Sequence, residues 1–482
     1  MQDIQEFIAL LKSPSHKDTE LITRAFHFAK KVHENQKRFS GEPYFGHVFE
    51  AAKTLIELGM DAPTIAAGLL HDTLEESAIT EAIIEKEFGK EVAFLVSGAT
   101  KIDKYEYRGQ ERHAESLRKL LLAVSKDVRV LIIKLADRLH NLKTLQYVRP
   151  DKQRRIALET LEIYSPIANR LGMGRIKGAL EDLAFPYAYP KEYEETKLLL
   201  KLKSKENQKY LEKIYRSLSK QLAEEHIKPI STDYRLKHLF SLYKKLKRYD
   251  MDINKVYDLA ALRIVVTTVA DCYRVLGIIH GMWRPLPGRI KDYVASPKIN
   301  GYQSLHTTIF TGDGGIAEIQ IRTPEMHQEA EFGIASHLLY KEGERNPYKE
   351  EQLLGKKTAW IKELAEWQKQ VAESGIFLRE LKTELFKDRV FIFTPDGDVV
   401  DLPEGSTPID FAYTIHSDIG DHTAGARINK KFCSLNTKLK NGDIVEIVTK
   451  RGSSPSTKWL EYIKTALARK HIKAAISKTA RN

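Results

Sequence analysis

Cysteine is nearly missing from this chain. Cys272 and Cys433 are the only two in 482 residues and lie far apart, which excludes a disulfide framework and a thiolate zinc site. Long apolar runs are missing too: none approaches the roughly 20 residues that span a bilayer. The opening MQDIQEFIALLKSPSH is too acidic for a secretory leader. The expectation is a cytoplasmic protein with no membrane partner. Internal repeats and low-complexity tracts are also absent. What remains, 42% hydrophobic and 29% charged, is ordinary for a globular chain, and the length suits about three domains.

The unusual bulk property is a net charge of +12, which points to phosphorylated small molecules or nucleic acid as partners. Residues 450–482 carry nine Lys or Arg against the single acid Glu461. That segment reads as a solvated basic helix, with RNA contact as the second reading.

Residues 1–190 read as successive helices, because TELITRAFHFAKKVHENQ, VFEAAKTLIELG and DVRVLIIKLADRLHNLKTL carry apolar residues three and four apart. FPYAYPKEY marks a boundary, and the strong helix formers from Glu194 to His226 predict a connecting helical pair. Near 230 the texture turns β-branched. LAALRIVVTTV and GGIAEIQIRT predict strands of an α+β domain, which with its connector covers 191–345. A charged helical linker follows over 346–387. DRVFIFTPDGDVVDLPEG then predicts two strands around an Asp-Gly turn and NGDIVEIVT a third. They form a small β-rich module over 388–450, ahead of a basic helical tail at 451–482.

GLLHDTLEES, residues 68–77, sets four titratable groups in six positions of an apolar stretch. On a helix, Glu75 would lie one turn beyond His71 and Glu76 one turn beyond Asp72. An amphipathic helix with a solvated acidic end explains the decapeptide equally well. Downstream, KLADRLHNLKTL places Asp137, Asn141 and Thr144 on one helix face; upstream, GEPYFGH opens a helix with His47. His47, His71, Asp72 and Asp137 together would hold Mn²⁺, Fe²⁺ or Zn²⁺, with Mn²⁺ favoured where phosphate oxygens also bind. Such an ion lowers the pKa of a bound water, and Glu75 and Glu76 would handle the protons.

A second group lies further on. YDLAALRIVV places Asp258 just before a strand and AEIQIRT puts Glu318 on another; two such acids can share Mg²⁺ with substrate phosphates. Between them Arg289, Lys291, Lys298 and His306 form a cationic set suited to polyphosphate, and Tyr302 offers a ring for a base. Taken singly, each also reads as a packing or solvated residue.

In order, QKRFSGEPYFGH, GLLHDTLEES, IKLADRLHNLKTL and ETLEIYSPIANRLGM resemble the motif series of the HD hydrolase domain of the RelA/SpoT family. Residues 233–342 resemble that family's synthetase domain and 388–449 its TGS domain. The resemblance implies a multidomain fold: an all-α HD-type domain, an α+β nucleotidyltransferase-like synthetase and a small β-grasp-like TGS module. It implies two opposed reactions, pyrophosphate transfer from ATP to the 3′-hydroxyl of GDP or GTP and removal of the 3′-diphosphate from (p)ppGpp. For the hydrolase it assigns His47, His71, Asp72 and Asp137 to Mn²⁺, and Glu75 and Glu76 to the attacking water. Arg38, Ser40, Asn141 and Thr144 go to the nucleotide. For the synthetase it assigns Asp258 and Glu318 to Mg²⁺, Glu318 also as base, and Arg235, Lys237, Lys245 and Arg263 to ATP. Arg289, Lys291, Lys298, Asn300 and His306 go to the acceptor, with guanine on Tyr302.

RIKD, residues 289–292, resembles the basic form of this loop in bifunctional members. His416 matches the TGS position that meets the acceptor end of tRNA, which makes tRNA or the ribosome a partner through the TGS module and basic tail. Long members continue past this module, so ending at Asn482 implies a shortened C-terminus. Three positions depart from the family: Phe39 replaces Lys, Glu76 replaces Asp, and Tyr234 replaces a Gly that bends the chain. With the basic tail, they motivate a competing reading, a tRNA- or ribosome-binding regulator with one or neither activity. A third reading is an HD phosphodiesterase acting on other nucleotides.

Overall fold

The computed structural model describes residues 3–11, 13–100, 121–298, 300–312, 315–338, 358, 361 and 389–479. The expected linker over 346–387 lies almost wholly outside them. The chain divides into two compact units, 1–370 and 371–482. Among the described residues no helix is long and apolar enough to cross a membrane.

The first unit opens with helices, as the three- and four-residue spacing predicts. Ser15 caps His16–Val32: its Oγ accepts from Asp18 N while Asp18 accepts from Ser15 N. Asp61 caps Ala62–Leu70 by accepting from Thr64 N, with Pro63 in the first turn. Ala62–Leu70 is buried on every side. It packs against His16–Val32, Phe45–Glu57 and Lys90–Thr100, and Phe45–Glu57 packs in turn on Arg129–Lys143. Three of these helices therefore carry the ligand candidates inward: Phe45–Glu57 brings His47, the end of Ala62–Leu70 brings His71 and Asp72, and Arg129–Lys143 brings Asp137.

Two local expectations need correcting. GLLHDTLEES is not one helix: Ala62–Leu70 stops, His71 and Asp72 form a turn, and a separate short helix covers Thr73–Glu76. Polar side chains satisfy the released carbonyls, Thr73 Oγ1 donating to Leu70 O and Thr100 Oγ1 to His71 O. The connector is also not a helical pair but a single 35-residue helix, Pro190–Glu224. Pro190 starts it, and no Gly or Pro interrupts it before Glu224.

That helix backs a five-stranded sheet built from β1 (Ser231–Leu236), β2 (Ala260–Val265), β3 (Lys291–Asp292), β4 (Leu305–Phe310) and β5 (Ile316–Arg322). The order is β1-β2-β5-β4-β3; only β2 and β5 run parallel. Alternation gives the sheet two chemical faces. Leu262, Ile264, Ile309, Ile319 and Ile321 bury against Leu211, Leu218, Val275 and Ile279 of Pro190–Glu224 and Val269–Met282. On the other face, register aligns Glu318 with Ala261 and Thr308, and Gln320 with Arg263 and His306. Lys291 pairs with His306 at the edge, and Arg235 with Ala261. The apolar face holds the domain together; the polar face carries Glu318, Gln320, Arg263 and His306.

In the second unit β6 (Arg389–Phe393) and β7 (Val399–Pro403) form the expected hairpin, with Gly397 at φ +92° in the turn. β8 (Thr423–Ile428), β9 (Lys431–Cys433) and β10 (Val445–Thr449) form a second sheet, and a parallel bridge between Phe393 and Ile444 joins the two. The helix Pro408–Ile415 inserts Phe411 into the sheet core. Its Asp410, fully buried, accepts from Lys464 N, Thr465 N and Thr465 Oγ1. This carboxylate fastens the helix Ala466–Thr479 to the module, where Ala468 and Ile472 pack with Ile409 and Tyr413.

Candidate active sites

His47, His71 and Asp137 offer ligand atoms that all lie within 4.8 Å of one another, and all three residues are buried. His47 Nε2 lies 3.2 Å from Asp137 Oδ1 and 3.4 Å from Asp72 Oδ2. His71 Nε2 lies 3.2 Å from Asp72 Oδ1 and 3.6 Å from Asp137 Oδ1. His71 Nδ1 donates to Gly68 O at 2.8 Å, so Nε2 is the free ligand atom, and it makes no hydrogen bond. Buried nitrogens and oxygens converging around an orphaned imidazole fit a divalent ion of intermediate hardness. Burial alone would keep His71 neutral, but Asp72 and Asp137 outweigh it and lift His71 to about 9, so with no cation present Nε2 carries a proton that a bound ion would displace. Both carboxyls sit below their ordinary range: burial opposes this, and neighbouring cations overcome it, His71 for Asp72 and Lys134 for Asp137.

The surrounding residues form a ring. Arg38 Nη2 donates to Asn141 Oδ1 at 2.6 Å, and Asn141 Nδ2 donates to Asp137 Oδ1 at 2.6 Å. Arg38 Nη1 reaches His140 Nδ1 at 3.0 Å, and His140 Nδ1 meets His47 Nδ1 at 2.8 Å. Arg38 and Asn141 are thus brought to the ligand candidates. Thr144 caps the helix end, its hydroxyl on the carbonyls of His140 and Asn141. Ser40 bonds Glu42 within its own turn. Glu75 is half-buried beside Asp72 in the chain, its N bonded to Asp72 O. The side chain of Glu76 lies outside those described.

Sequence reasoning missed three residues here. Lys134, buried, donates to Asp137 Oδ2 at 3.2 Å. The Tyr44 hydroxyl donates to Asp72 Oδ2 at 2.8 Å. His140 closes the ring just described. Spacing carried a signal for two of them, since Lys134 and His140 each stand three residues from Asp137 on one helix.

On the polar face of the sheet, one cleft is lined by Lys245, Asp258, Arg289, Lys291, His306 and Glu318, with Lys255, Tyr257 and Thr308 added by the fold. Asp258 takes Lys237 on Oδ2 at 2.6 Å and Lys245 on Oδ1 at 2.7 Å. Burial pushes its pKa upward, but these ammoniums prevail and hold it at about 2. Glu318 accepts from His306 Nδ1 at 3.2 Å and Gln320 Nε2 at 2.8 Å. His306 Nε2 in turn accepts from the Tyr302 hydroxyl at 2.8 Å. Two carboxylates among lysines and an arginine fit a hard cation shared with phosphate oxygens.

None of the remaining predicted residues lines this cleft. Lys298 Nζ lies 5.1 Å from the Tyr302 ring centre and 4.6 Å from that of Tyr293. Arg263 is held by Glu331 at 3.2 Å and Asp233 at 3.6 Å. Asn300 Nδ2 donates to Asn169 O in the helical region at 2.9 Å. Arg235 is half-buried on β1. In the second unit His416 is exposed and caps the short helix Ser417–Asp421, far down the chain from both sites.

Three family descriptions match in this order: an HD domain at 25–174, the region found in RelA/SpoT proteins at 234–345, and a TGS domain at 390–449. A guanosine-3′,5′-bis(diphosphate) 3′-pyrophosphohydrolase of Aquifex aeolicus is 46% identical over 483 residues, covering 99% of this chain and 68% of that protein. The chain belongs to the RelA/SpoT family. A GTP pyrophosphokinase of Myxococcus xanthus is 45% identical over 96% of this chain and 61% of its own length. The bifunctional (p)ppGpp synthase/hydrolase SpoT of Escherichia coli is 42% identical over 96% and 65%. The chain thus spans about two thirds of these relatives.

Family membership sharpens the meaning of two departures. Tyr234 occupies a regular β1 position opposite Leu262, without positive φ, and its ring meets Tyr215 of the connector at 6.2 Å. The chain does not bend there, so the position needs no Gly. Phe39 is 85% exposed, on a turn closed by Gly41 N to Arg38 O with Gly41 at φ +85°.

Proposed function

We propose that this chain both makes and degrades the guanosine 3′-diphosphate alarmone. It would transfer pyrophosphate from ATP to the 3′-hydroxyl of GDP or GTP in the sheet cleft, and hydrolyse (p)ppGpp at the helical site. The observation that carries this reading is the presence, in one unit, of two separate acid-bearing sites with different donor chemistry. One has imidazoles with carboxylates; the other has carboxylates among lysines and an arginine. The names of relatives, kinase for some and hydrolase for others, support the same pairing.

At the helical site His47, His71, Asp72 and Asp137 would hold Mn²⁺, which supplies an acidified water and charge neutralisation at phosphorus. Arg38 and Asn141 would bind and orient the nucleotide, and Glu75 would accept the proton from the attacking water. In the cleft Asp258 and Glu318 would hold Mg²⁺. Lys237 and Lys245, now neutralised by Asp258, would turn to the ATP phosphates. Arg289, Lys291 and Lys298 would hold the acceptor's phosphates, and Tyr302 its base. Glu318, oriented by His306, is poised to take the 3′-hydroxyl proton. This chemistry rests on positioning and charge neutralisation. An exposed His416 and the basic surface around Lys470 and Lys473 support tRNA contact by the second unit.

Incubation with ATP and GDP, and separately with ppGpp and Mn²⁺, tests the proposal. Turnover is expected in both. Silence in either reduces the chain to a one-way enzyme; silence in both with salt-dependent tRNA binding supports the regulator reading.

A further inference from the structure

The ring around the helical site assigns protons. Arg38 can only donate, so His140 Nδ1, 3.0 Å from its Nη1, is an unprotonated acceptor. His47 Nδ1 lies 2.8 Å from that same nitrogen and must therefore carry its own proton. That leaves the His47 lone pair on Nε2, the atom facing Asp72 and Asp137. His71 reaches the same tautomer through a backbone carbonyl, Gly68 O. For His47 no carbonyl among the described residues serves. A third histidine does.

We infer that His140 is a positioning residue: its unprotonated Nδ1, which accepts from both Arg38 and His47 Nδ1, fixes the His47 tautomer that presents Nε2 to the metal. This rests on the hydrolase reading above. It adds a residue that touches neither ion nor reacting atoms, and it links the nucleotide-side arginine to a metal ligand through one nitrogen. Outer partners of this kind commonly change metal affinity ten- to a hundredfold when removed.

The geometry specifies which replacements should work. An Asn amide oxygen can take the place of a histidine Nδ1, whereas the longer Gln reaches the place of Nε2. His140→Asn keeps an acceptor where His47 needs one; His140→Gln and His140→Ala do not. Mn²⁺ affinity of the full chain, titrated by electron paramagnetic resonance without nucleotide, reads this directly. Wild type and His140→Asn should agree within about threefold, and His140→Gln and His140→Ala should bind roughly ten- to a hundredfold more weakly. Equal weakening in Asn and Gln would mean that His140 only fills space, and unchanged affinity in Gln would mean that it positions nothing; either overturns the inference while leaving the hydrolase reading intact. A wild-type chain that takes up no Mn²⁺ would instead bring down the hydrolase reading, and this inference with it.

Discussion

Glu181 gives the sharpest quantitative expectation from the fold. It is 1% exposed on the helix Gly174–Ala188. Its Oε1 accepts from Ser165 at 3.1 Å and Lys244 at 2.9 Å; Oε2 accepts from Lys177 at 3.2 Å and Ser241 at 2.9 Å. Ser241 and Lys244 belong to Leu239–Arg248 of the synthetase region, so this carboxylate fastens that region to the helical one. Burial works against the charge, but Lys177 and Lys244 overcome it and bring Glu181 to about 2, against an ordinary 4.5. At 1.36 kcal/mol per unit the difference corresponds to roughly 3 kcal/mol of stability. Because the folded-state value is depressed, that contribution is complete above about pH 4.5 and is lost as pH falls toward 2.

Glu181→Gln should therefore cost about 3 kcal/mol at neutral pH, with two ammoniums left uncompensated. Amide hydrogen exchange localises the loss: exchange governed by separation of the seam should accelerate about a hundredfold over 174–188 and 239–248. Amides of β8 and β10, in the other unit, serve as the internal control and should not change. Lys177→Met, which leaves Lys244 on the carboxylate, should cost less. Acceleration under threefold in Glu181→Gln, or equal acceleration in β8, would refute the reasoning.

Two other perturbations have clear signs. Burial, with Lys291 and Lys177 nearby, lowers Lys298 to about 8; under the proposed acceptor role only the charged form binds, so KM for GDP should rise roughly tenfold between about pH 7.5 and 9. Lys298→Arg should flatten that rise, and a steep profile in the arginine variant would exclude Lys298 as its source. Gly333 has φ +57°, and a Cβ there would collide with Leu171 O, Gly172 C and Met173 N. Gly333→Ala should cost about 3 kcal/mol or more, seen as a lower melting temperature, and a wild-type melt would show that the turn can shift.

The sequence disclosed chemistry better than local geometry. Histidines and acids stood out in GLLHDTLEES and KLADRLHNLKTL because charged groups are conspicuous on apolar helices, and the fold brings His47, His71, Asp72 and Asp137 together. The break at His71 and Asp72 was not legible: hydroxyls distant in sequence, such as Thr100, stabilise it. β2 and β5 could be read from their β-branched runs, whereas β1, as STDYRL, and β9, as KFC, have too few apolar residues to announce a strand. Glu181 carried no signal in the sequence, because two of the four groups that hold it, Ser241 and Lys244, come from a helix 60 and 63 positions away. Tyr234 misled in the opposite direction, since a bend expected from family habit is absent here.

The central claim is that two independent sites run opposite reactions on one nucleotide. Asp72→Ala and Asp258→Ala, each assayed for both reactions, test it most directly. Asp72→Ala should lose ppGpp hydrolysis by at least about a thousandfold and still make the alarmone from ATP and GDP; Asp258→Ala should do the reverse. If one substitution silenced both reactions, or neither, the two-site account would be wrong.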